Sequence, residues 1–462
     1  MGFIDEKYVN EILEENSNPS KEECMNIIEK AEKAKGLTLE ETAKLLQTND
    51  KEVITYMFIT AKKVKEAIYG TRLVLFAPVY LSNYCSNNCL YCGFRKDNKE
   101  LKRKTLTMEE LRREIEILIS EGHKRVLLVA GEDLRHTNID YLEKAIKTVY
   151  ETKVSNGEIR RLNINVAPLS LENFKRLKKA KIGTYQLFQE TYHYETYKKM
   201  HPQGPKADYL KRLYAMDLAQ QAGIDDVGIG VLFGLYDYKF EVLCLLLHAE
   251  HLEKEYGTGP HTISVPRLEP ALNAPISTNP PHPVSDEEFK KLVAIIRLAV
   301  PYTGMILSTR ENQQMRNELF ALGISQISAG SRTNPGGYYE SKINPLNESQ
   351  FQIHDTRTTS QVIHDVCKLG FLPSFCTACY RSGRTGDYFM QFAKSGNIQN
   401  FCHPNAILTF KEYLLDYADD EMKEFGNRII EKELLKIPNQ TIRNETIKKL
   451  KLLEEGKRDL YF

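Results

Sequence analysis

The sequence predicts an α/β fold: a (βα)8 barrel of the TIM type, preceded by N-terminal helices and followed by a mainly helical C-terminal region. Two observations predict the barrel. Eight short apolar runs alternate with amphipathic helical segments between residues 71 and 335. That span of about 260 residues is the usual size of such a barrel. The same alternation fits an open doubly wound sheet, because periodicity does not reveal whether a sheet closes.

The alternation divides the chain into three regions. Residues 1–70 form an N-terminal helical extension, residues 71–335 the barrel, and residues 336–462 a separate C-terminal domain. In the first region, Ser20 and Glu23 have the spacing of a capping box, which marks the start of a helix. The runs predicted as strands are residues 73–81, 125–132, 162–168, 184–191, 227–234, 261–267, 304–310 and 324–331.

The composition excludes several classes of function. The chain carries 63 basic and 62 acidic residues, a formal net charge of +1, so it lacks the basic excess of a nucleic-acid binder. No apolar run approaches the roughly 20 residues that span a bilayer, and the acidic start lacks the order of a secretory signal. We therefore expect a cytoplasmic protein with no nucleic-acid or membrane partner, whose clustered cysteines are metal ligands rather than disulfides.

The segment "YCSNNCLYCGF" holds three of the nine cysteines: Cys85, Cys89 and Cys92. It directly follows the first predicted strand, at the end of the barrel where barrel enzymes place their active sites. Thiolates are soft ligands suited to zinc and to iron–sulfur clusters. Structural zinc takes four protein ligands. Three cysteines on one loop instead fit three corners of a 4Fe–4S cube, and they leave one iron free for a substrate or cofactor.

The spacing C-x3-C-x2-C is the signature of the radical S-adenosylmethionine (SAM) enzymes, which this sequence resembles beyond the cysteines. Tyr91 stands where that family has an aromatic residue beside the SAM adenine. The "AGE" that ends the second predicted strand is similar to the family's segment for the SAM amino group, which implicates Gly131 and Glu132. The resemblance implies a radical SAM barrel with SAM and a 4Fe–4S cluster as cofactors. Zinc or a plain electron-transfer cluster is the alternative.

A second group of cysteines, Cys376, Cys379 and Cys402, lies beyond the predicted barrel with the spacing C-x2-C-x22-C. The spacing alone fits structural zinc, with His403 as the fourth ligand, as well as a second cluster. With "CTACYRSGRTGD" around the first pair, the chain from about 70 to 410 resembles the HydG family, radical SAM tyrosine lyases that mature the FeFe-hydrogenase.

This resemblance implies a two-stage reaction. SAM is cleaved reductively at the first cluster, and the 5′-deoxyadenosyl radical breaks the Cα–Cβ bond of tyrosine to give p-cresol and dehydroglycine. Dehydroglycine then yields CO and cyanide at a second 4Fe–4S cluster with an additional iron, which builds the iron–CO–cyanide precursor of the hydrogenase active site. The implied partners are tyrosine, a reductant such as ferredoxin or flavodoxin, and other hydrogenase maturases.

The resemblance also implies roles for single residues. In "GPHTISVPRLEPA", His261 would hold the additional iron; it opens the sixth predicted strand, at the opposite end of the barrel from SAM. A hydrogen bond from this histidine to a loop carbonyl is the simpler alternative. In "FQET", Glu190 would contact the SAM ribose. Asn165 on the third predicted strand and Arg212 beyond the fourth are further candidates for SAM binding.

Three arginines are candidates for the tyrosine carboxylate, because a guanidinium forks well onto a carboxylate. Arg267, Arg310 and Arg332 lie at or just past predicted strand ends on the SAM side. Each of them fits a salt bridge to a loop carboxylate equally well.

Two other functions share part of this pattern. The tyrosine lyase of thiazole (thiamin) biosynthesis has the barrel, SAM and p-cresol, but it lacks the C-terminal cysteines. A non-catalytic iron–sulfur scaffold would bind and transfer iron, and it would need none of the SAM contacts. The second cysteine group argues against the first alternative, and the "AGE" segment with Tyr91 argues against the second.

Overall fold

The computed structural model describes residues 2–340 and 346–462; Met1 and residues 341–345 of the expected C-terminal domain lie outside the described residues. Four helices come first: α1 (Glu6–Glu15), α2 (Lys21–Ala31), α3 (Leu39–Gln47) and α4 (Lys51–Tyr69). At the start of α2 the Ser20 hydroxyl accepts the N–H of Glu23, and the Glu23 carboxylate accepts the N–H of Ser20. This capping box satisfies donors that a helix start otherwise leaves free.

Eight parallel strands form the closed barrel, and each of the expected runs overlaps one of them. The strands up to the end of the barrel, with a small antiparallel hairpin as β3 and β4, are β1 (Arg72–Ser82), β2 (Arg125–Ala130), β3 (Lys153–Val154), β4 (Gly157–Glu158), β5 (Arg161–Asn165), β6 (Tyr185–Gln186), β7 (Val227–Gly230), β8 (Thr262–Ser264), β9 (Gly304–Leu307) and β10 (Gln326–Ser328). The last strand pairs with the first, with Leu75 opposite Ile327. This closure confirms the (βα)8 barrel and excludes the open doubly wound sheet.

Helices surround the barrel and bury its outer face. They are α5 (Met108–Ser120), α6 (Ile139–Glu151), α7 (Leu171–Lys179), α8 (Tyr194–Met200), α9 (Tyr209–Leu213), α10 (Ala215–Gln221), α11 (Tyr238–Tyr256), α12 (Asp286–Ala299) and α13 (Gln313–Leu322). The N-terminal helices pack on this layer, because α4 lies against α12 and α13. None of the helices in the described ranges has the length and apolar character that a membrane crossing requires.

The C-terminal region is mainly helical, as the sequence predicts, but it also contains a strand that the sequence did not reveal. Its elements are α14 (Thr359–Lys368), β11 (Leu372–Ser374), α15 (Ala378–Arg381), α16 (Gly386–Lys394), α17 (Gln399–Asp416), α18 (Asp420–Leu435) and α19 (Gln440–Glu454). Strand β11 adds in parallel to the start of β1, where Val74 pairs with Ser374 on one edge and with Gln326 on the other. The chain after β11 therefore lies at the N-terminal end of the barrel. The division into three regions stays a prediction.

Candidate active site and second cysteine site

A cavity of about 210 Å³ lies at the C-terminal ends of the barrel strands. The loop after β1 brings Cys85, Cys89 and Cys92 into its wall, and all three thiols are free. Burial raises the pKa of Cys89 to about 12 and that of Cys92 to about 11. Metal ligation requires the thiolate, so cluster binding at these cysteines would release protons.

Two amide side chains donate to these sulfurs. Asn87 Nδ2 lies 3.6 Å from the Cys85 sulfur and 2.7 Å from a carboxylate oxygen of Glu132. Gln350 Nε2, from the chain beyond the barrel, lies 3.8 Å from the Cys92 sulfur. The sequence analysis identified neither amide, although the position of Asn87 between two of the cysteines was a usable signal.

Gly131 and Glu132 lie where β2 ends against the cysteine loop. The Gly131 N–H donates to the Ser82 carbonyl at 2.9 Å. A Cβ at this position would collide with the Tyr84 carbonyl and would lie 3.3 Å from the Cys85 Cβ. Only glycine permits this close approach of strand and loop. Glu132 then lines the cavity beside the cysteines, and its contact with the SAM amino group stays a prediction.

Glu190 is a buried carboxylate held by two cations in the same cavity. Lys206 Nζ lies 2.6 Å from Glu190 Oε1, and Arg212 Nη2 lies 3.3 Å from the same atom. Burial alone would raise the pKa of Glu190, but the charges of these two cations outweigh it and hold that pKa below its usual value. The backbone of Glu190 has a φ of +72°, a left-handed conformation that costs roughly 1–3 kcal/mol and is typical of functional sites.

Tyr91 and Asn165 also line the cavity, and Tyr91 is held by a partner that the sequence analysis missed. The Tyr91 hydroxyl lies 2.8 Å from His201 Nε2, while His201 Nδ1 lies 2.8 Å from the Tyr197 carbonyl. Because the Tyr197 carbonyl accepts a hydrogen bond from Nδ1–H, the proton of the neutral ring is on Nδ1. Nε2 therefore accepts a hydrogen bond from the tyrosine hydroxyl. Burial lowers the pKa of His201 well below its usual value, so the ring is neutral.

The three candidate arginines are in different environments. Arg310 lines the cavity, with its guanidinium 3.3 Å from the centre of the Phe351 ring. Arg267 is engaged outside the cavity by Glu311, with Nε 2.8 Å from Oε1, and by Asp286. Arg332 donates to backbone carbonyls of its own loop at 3.0 and 3.2 Å. Arg310 is therefore the one of the three that faces the cavity.

The second cysteine group lies at the opposite end of the barrel. Cys376 follows β11, Cys379 lies in α15 and Cys402 in α17, and together they line a cavity of about 50 Å³. A hydrogen bond from the Cys402 thiol and the nearby Arg384 charge lower the pKa of Cys379 to about 6. Within residues 2–340 and 346–462, no three His, Cys, Asp or Glu side chains converge closely enough to hold a single metal ion.

His261 reaches this second cavity from the start of β8, and His403 does not line it. His261 Nδ1 is buried without a hydrogen bond, 3.5 Å from Asp226 Oδ1, and burial lowers the pKa of His261 to about 4. A neutral imidazole with an uncommitted nitrogen is a suitable metal ligand. His403 Nε2 instead lies 3.1 Å from the Glu433 carbonyl oxygen, so the arrangement does not support the Cys3His zinc alternative.

Three arginines also line the second cavity, and the sequence analysis missed them. Arg72, Arg125 and Arg161 are the first residues of β1, β2 and β5. Arg161 Nη2 pairs with Asp226 Oδ2 at 2.9 Å, and Arg125 Nη2 donates to the Cys376 carbonyl at 2.8 Å. The buried Nε atoms of Arg72 and Arg125 have no acceptor in the described part of the chain. The surplus of buried positive charge suits thiolates and an anionic ligand.

Comparison with known proteins identifies the family. The description "Radical SAM superfamily" matches residues 79–246, and "Biotin and Thiamin Synthesis associated domain" matches residues 264–372. A crystal structure of HydG, a maturase of the FeFe-hydrogenase, is 56% identical and superimposes with a TM-score of 0.97 over 100% of both chains. The chain belongs to the HydG family.

Two further relatives extend the comparison. HydG from Carboxydothermus hydrogenoformans is 44% identical, with a TM-score of 0.84, over 96% of this chain and 97% of that chain. The 2-iminoacetate synthase of Salmonella typhimurium is 32% identical over 349 residues, which is 75% of this chain and 89% of that protein. As a HydG-family member the protein is a radical SAM enzyme of hydrogenase maturation, which uses SAM and 4Fe–4S clusters and needs a reductant.

Proposed function

We propose that this protein is a tyrosine lyase that makes CO and cyanide at a second site. Tyrosine is cleaved to p-cresol and dehydroglycine at the C-terminal end of the barrel, and dehydroglycine yields CO and cyanide at the N-terminal end. The product is the iron–CO–cyanide precursor of the FeFe-hydrogenase active site. One observation carries the proposal: two three-cysteine sites occupy opposite ends of one barrel, in a chain whose whole length matches HydG.

At the first site the residues fit a 4Fe–4S cluster and SAM. Cys85, Cys89 and Cys92 would hold the cluster, since soft thiolates suit iron and three of them leave one iron for SAM. When bound, the cluster and SAM would supply the 5′-deoxyadenosyl radical. Gly131 leaves the space that lets Glu132 face the cavity. There the Glu132 carboxylate would accept a hydrogen bond from the SAM amino group.

The other SAM contacts would come from the opposite walls of the cavity. Tyr91, held by its hydrogen bond to His201, would stack beside the adenine. Glu190 would accept from the ribose hydroxyls, and its two cations keep it ionised for that purpose. Asn165 and Arg212 would complete the pocket.

Arg310 would bind the tyrosine carboxylate. It is the candidate arginine that faces the cavity, and burial together with the absence of a close carboxylate partner among the described residues leaves its guanidinium unneutralised. A carboxylate that pairs with it would fix the substrate by a charge-assisted, two-pronged contact. Arg310 lies in the loop between β9 and α13, and β10 separates β9 from β1, the strand that leads into the cysteine loop.

At the second site Cys376, Cys379 and Cys402 would hold another 4Fe–4S cluster, and His261 would hold the additional iron. The uncommitted Nδ1 of His261 and the surplus arginine charge fit a metal centre with anionic ligands. On β1, Val74 lines the second cavity and Phe76 the first. Two residues of a strand span roughly 7 Å, so about this distance separates the two cavities along β1. Dehydroglycine would cross it inside the barrel.

The tyrosine lyase of thiazole biosynthesis is the second candidate function. The match to the Salmonella typhimurium 2-iminoacetate synthase spans 349 of the 462 residues, and the two family descriptions end at residues 246 and 372. The second cysteine group begins at Cys376, beyond both descriptions. An iron–sulfur scaffold without catalysis has less support, since the cavity provides cations and carboxylates that iron binding does not require.

The proposal is tested by anaerobic turnover of the protein reconstituted with iron and sulfide. With tyrosine, SAM and dithionite, we expect p-cresol measured by chromatography and CO trapped by a reporter globin to rise together. p-Cresol without CO would favour the thiazole-type lyase. Absence of SAM cleavage, with iron bound, would favour the scaffold.

A further inference from the structure

Residues 346–355, here called the capping segment, cross the C-terminal mouth of the barrel after β10. The segment is joined to the cysteine loop through its backbone. The Lys102 N–H donates to the Asn347 carbonyl at 3.0 Å, and the Gly93 N–H donates to the Gln350 carbonyl at 2.9 Å. Gln350 and Phe351 of this segment line the larger cavity.

The close approach of these two chain segments explains the glycine that follows the third cysteine. A Cβ at Gly93 would lie 2.6 Å from the Ser349 carbonyl oxygen and 2.9 Å from that of Gln350. Both distances are shorter than a carbon–oxygen contact allows. The backbone contact therefore fixes the capping segment in one register against Cys92.

The Gln350 side chain spans the gap between this segment and the cluster cysteine. Its Nε2 lies 3.8 Å from the Cys92 sulfur, and its Oε1 lies 2.8 Å from the Tyr80 hydroxyl. The buried tyrosine donates to Oε1, so the N–H group is left for the sulfur. The opposite orientation would place the amide oxygen against a thiolate, which is unfavourable because both are acceptors.

We propose that Gln350 is a positioning residue that sets the reduction potential of the first cluster by donating a hydrogen bond to the Cys92 thiolate. This inference rests on the proposed function, which places that cluster on the three cysteines. One-electron reduction adds negative charge to the cluster and its sulfurs, and a donor to a sulfur stabilises the reduced form. Gln350 therefore makes the cluster easier to reduce, which is the step that precedes SAM cleavage.

The test is a redox titration of the reconstituted full chain, followed by the EPR signal of the reduced cluster that changes when SAM is added. Gln350→Leu removes the donor at similar volume. We expect a more negative midpoint potential, with a reduced-to-oxidised ratio at fixed potential lower by roughly tenfold, equivalent to about 59 mV. Tyr80→Phe keeps the amide but frees its oxygen, and we expect a smaller shift in the same direction.

Gln352→Leu is the matched control, because this glutamine lies two residues further along the segment and does not line the cavity. We expect its potential to equal that of the unsubstituted protein. If Gln350→Leu and Tyr80→Phe both retain the SAM-responsive signal at an unchanged potential, the role of Gln350 is wrong. If the unsubstituted protein shows no SAM-responsive signal, the failure lies instead in the proposed function.

Discussion

The two ends of the barrel each carry three cysteines, but they are built differently. At the C-terminal end, one loop supplies all three, and the cavity of about 210 Å³ contains both carboxylates and cations. At the N-terminal end, the cysteines come from the loop after β11, from α15 and from α17, and the cavity of about 50 Å³ has three arginines on its wall. The first arrangement leaves room for organic molecules beside a cluster, and the second leaves room for a small anion.

In the proposed function, this difference separates two reactions within one chain. In the larger cavity two cations have a carboxylate partner, since Lys206 and Arg212 both contact Glu190. The smaller cavity holds the unsatisfied Nε atoms of Arg72 and Arg125 and the free Nδ1 of His261. We therefore expect a change at one end to leave the chemistry at the other end largely intact. The proposed function adds one asymmetry, because its second reaction consumes the product of the first.

The largest effect is expected for Cys89→Ala. Loss of one of three thiolates removes the first cluster, so SAM cleavage, p-cresol and CO should all fall below detection. The measurement is methionine and 5′-deoxyadenosine by chromatography. Cys367→Ala, at a buried cysteine outside both sites, is the control and should retain all products. Residual SAM cleavage in Cys89→Ala would remove this cysteine from the cluster.

Gly131→Ala tests the shape of the larger cavity. The added methyl group would collide with the Tyr84 carbonyl and push β2 from the cysteine loop. Overpacking of this kind costs about 1–3 kcal/mol, so we expect the Kd of SAM to rise roughly 10- to 100-fold. Equilibrium dialysis with labelled SAM measures it, and iron content at Cys376, Cys379 and Cys402 should not change. Unchanged SAM affinity would separate Gly131 from the SAM site.

Arg310→Lys sharpens the assignment of the tyrosine site. A lysine keeps the charge but cannot fork onto a carboxylate, and loss of one charge-assisted hydrogen bond costs about 1.5–3 kcal/mol. We expect the KM for tyrosine to rise roughly 10- to 100-fold, with SAM affinity unchanged. Arg332→Lys, whose side chain donates to backbone carbonyls of its own loop, is the control. An equal effect of both variants would contradict the choice of Arg310.

His261→Ala addresses the additional iron at the second site. We expect loss of that iron and of CO delivery, while p-cresol formation is retained, because the larger cavity does not include this residue. Iron analysis and p-cresol chromatography check the two halves of this expectation. His403→Ala should leave the iron content unchanged, since His403 contacts Glu433 rather than the cavity. Metal loss in His403→Ala, with the metal retained in His261→Ala, would restore the zinc alternative.

The fold and part of each site were predictable because their signals are local. Apolar runs marked all eight barrel strands, and cysteine spacing marked both groups. Strand β11 was missed because three residues that include Pro373 carry no strand signal. Lys206, His201 and Gln350 act through contacts with residues up to about 260 positions away, which no local pattern reveals. Arg72, Arg125 and Arg161 are far apart in the sequence, and only closure of the barrel brings them to one cavity.

The most direct test of the two-site account is p-cresol and CO measured together in Cys379→Ala. This cysteine lines the smaller cavity, and its loss leaves every residue of the larger one in place. We expect p-cresol to continue at a rate close to that of the unsubstituted protein, while CO is lost or greatly reduced. Equal loss of p-cresol and CO would contradict the claim that tyrosine cleavage and CO formation occur at opposite ends of the barrel.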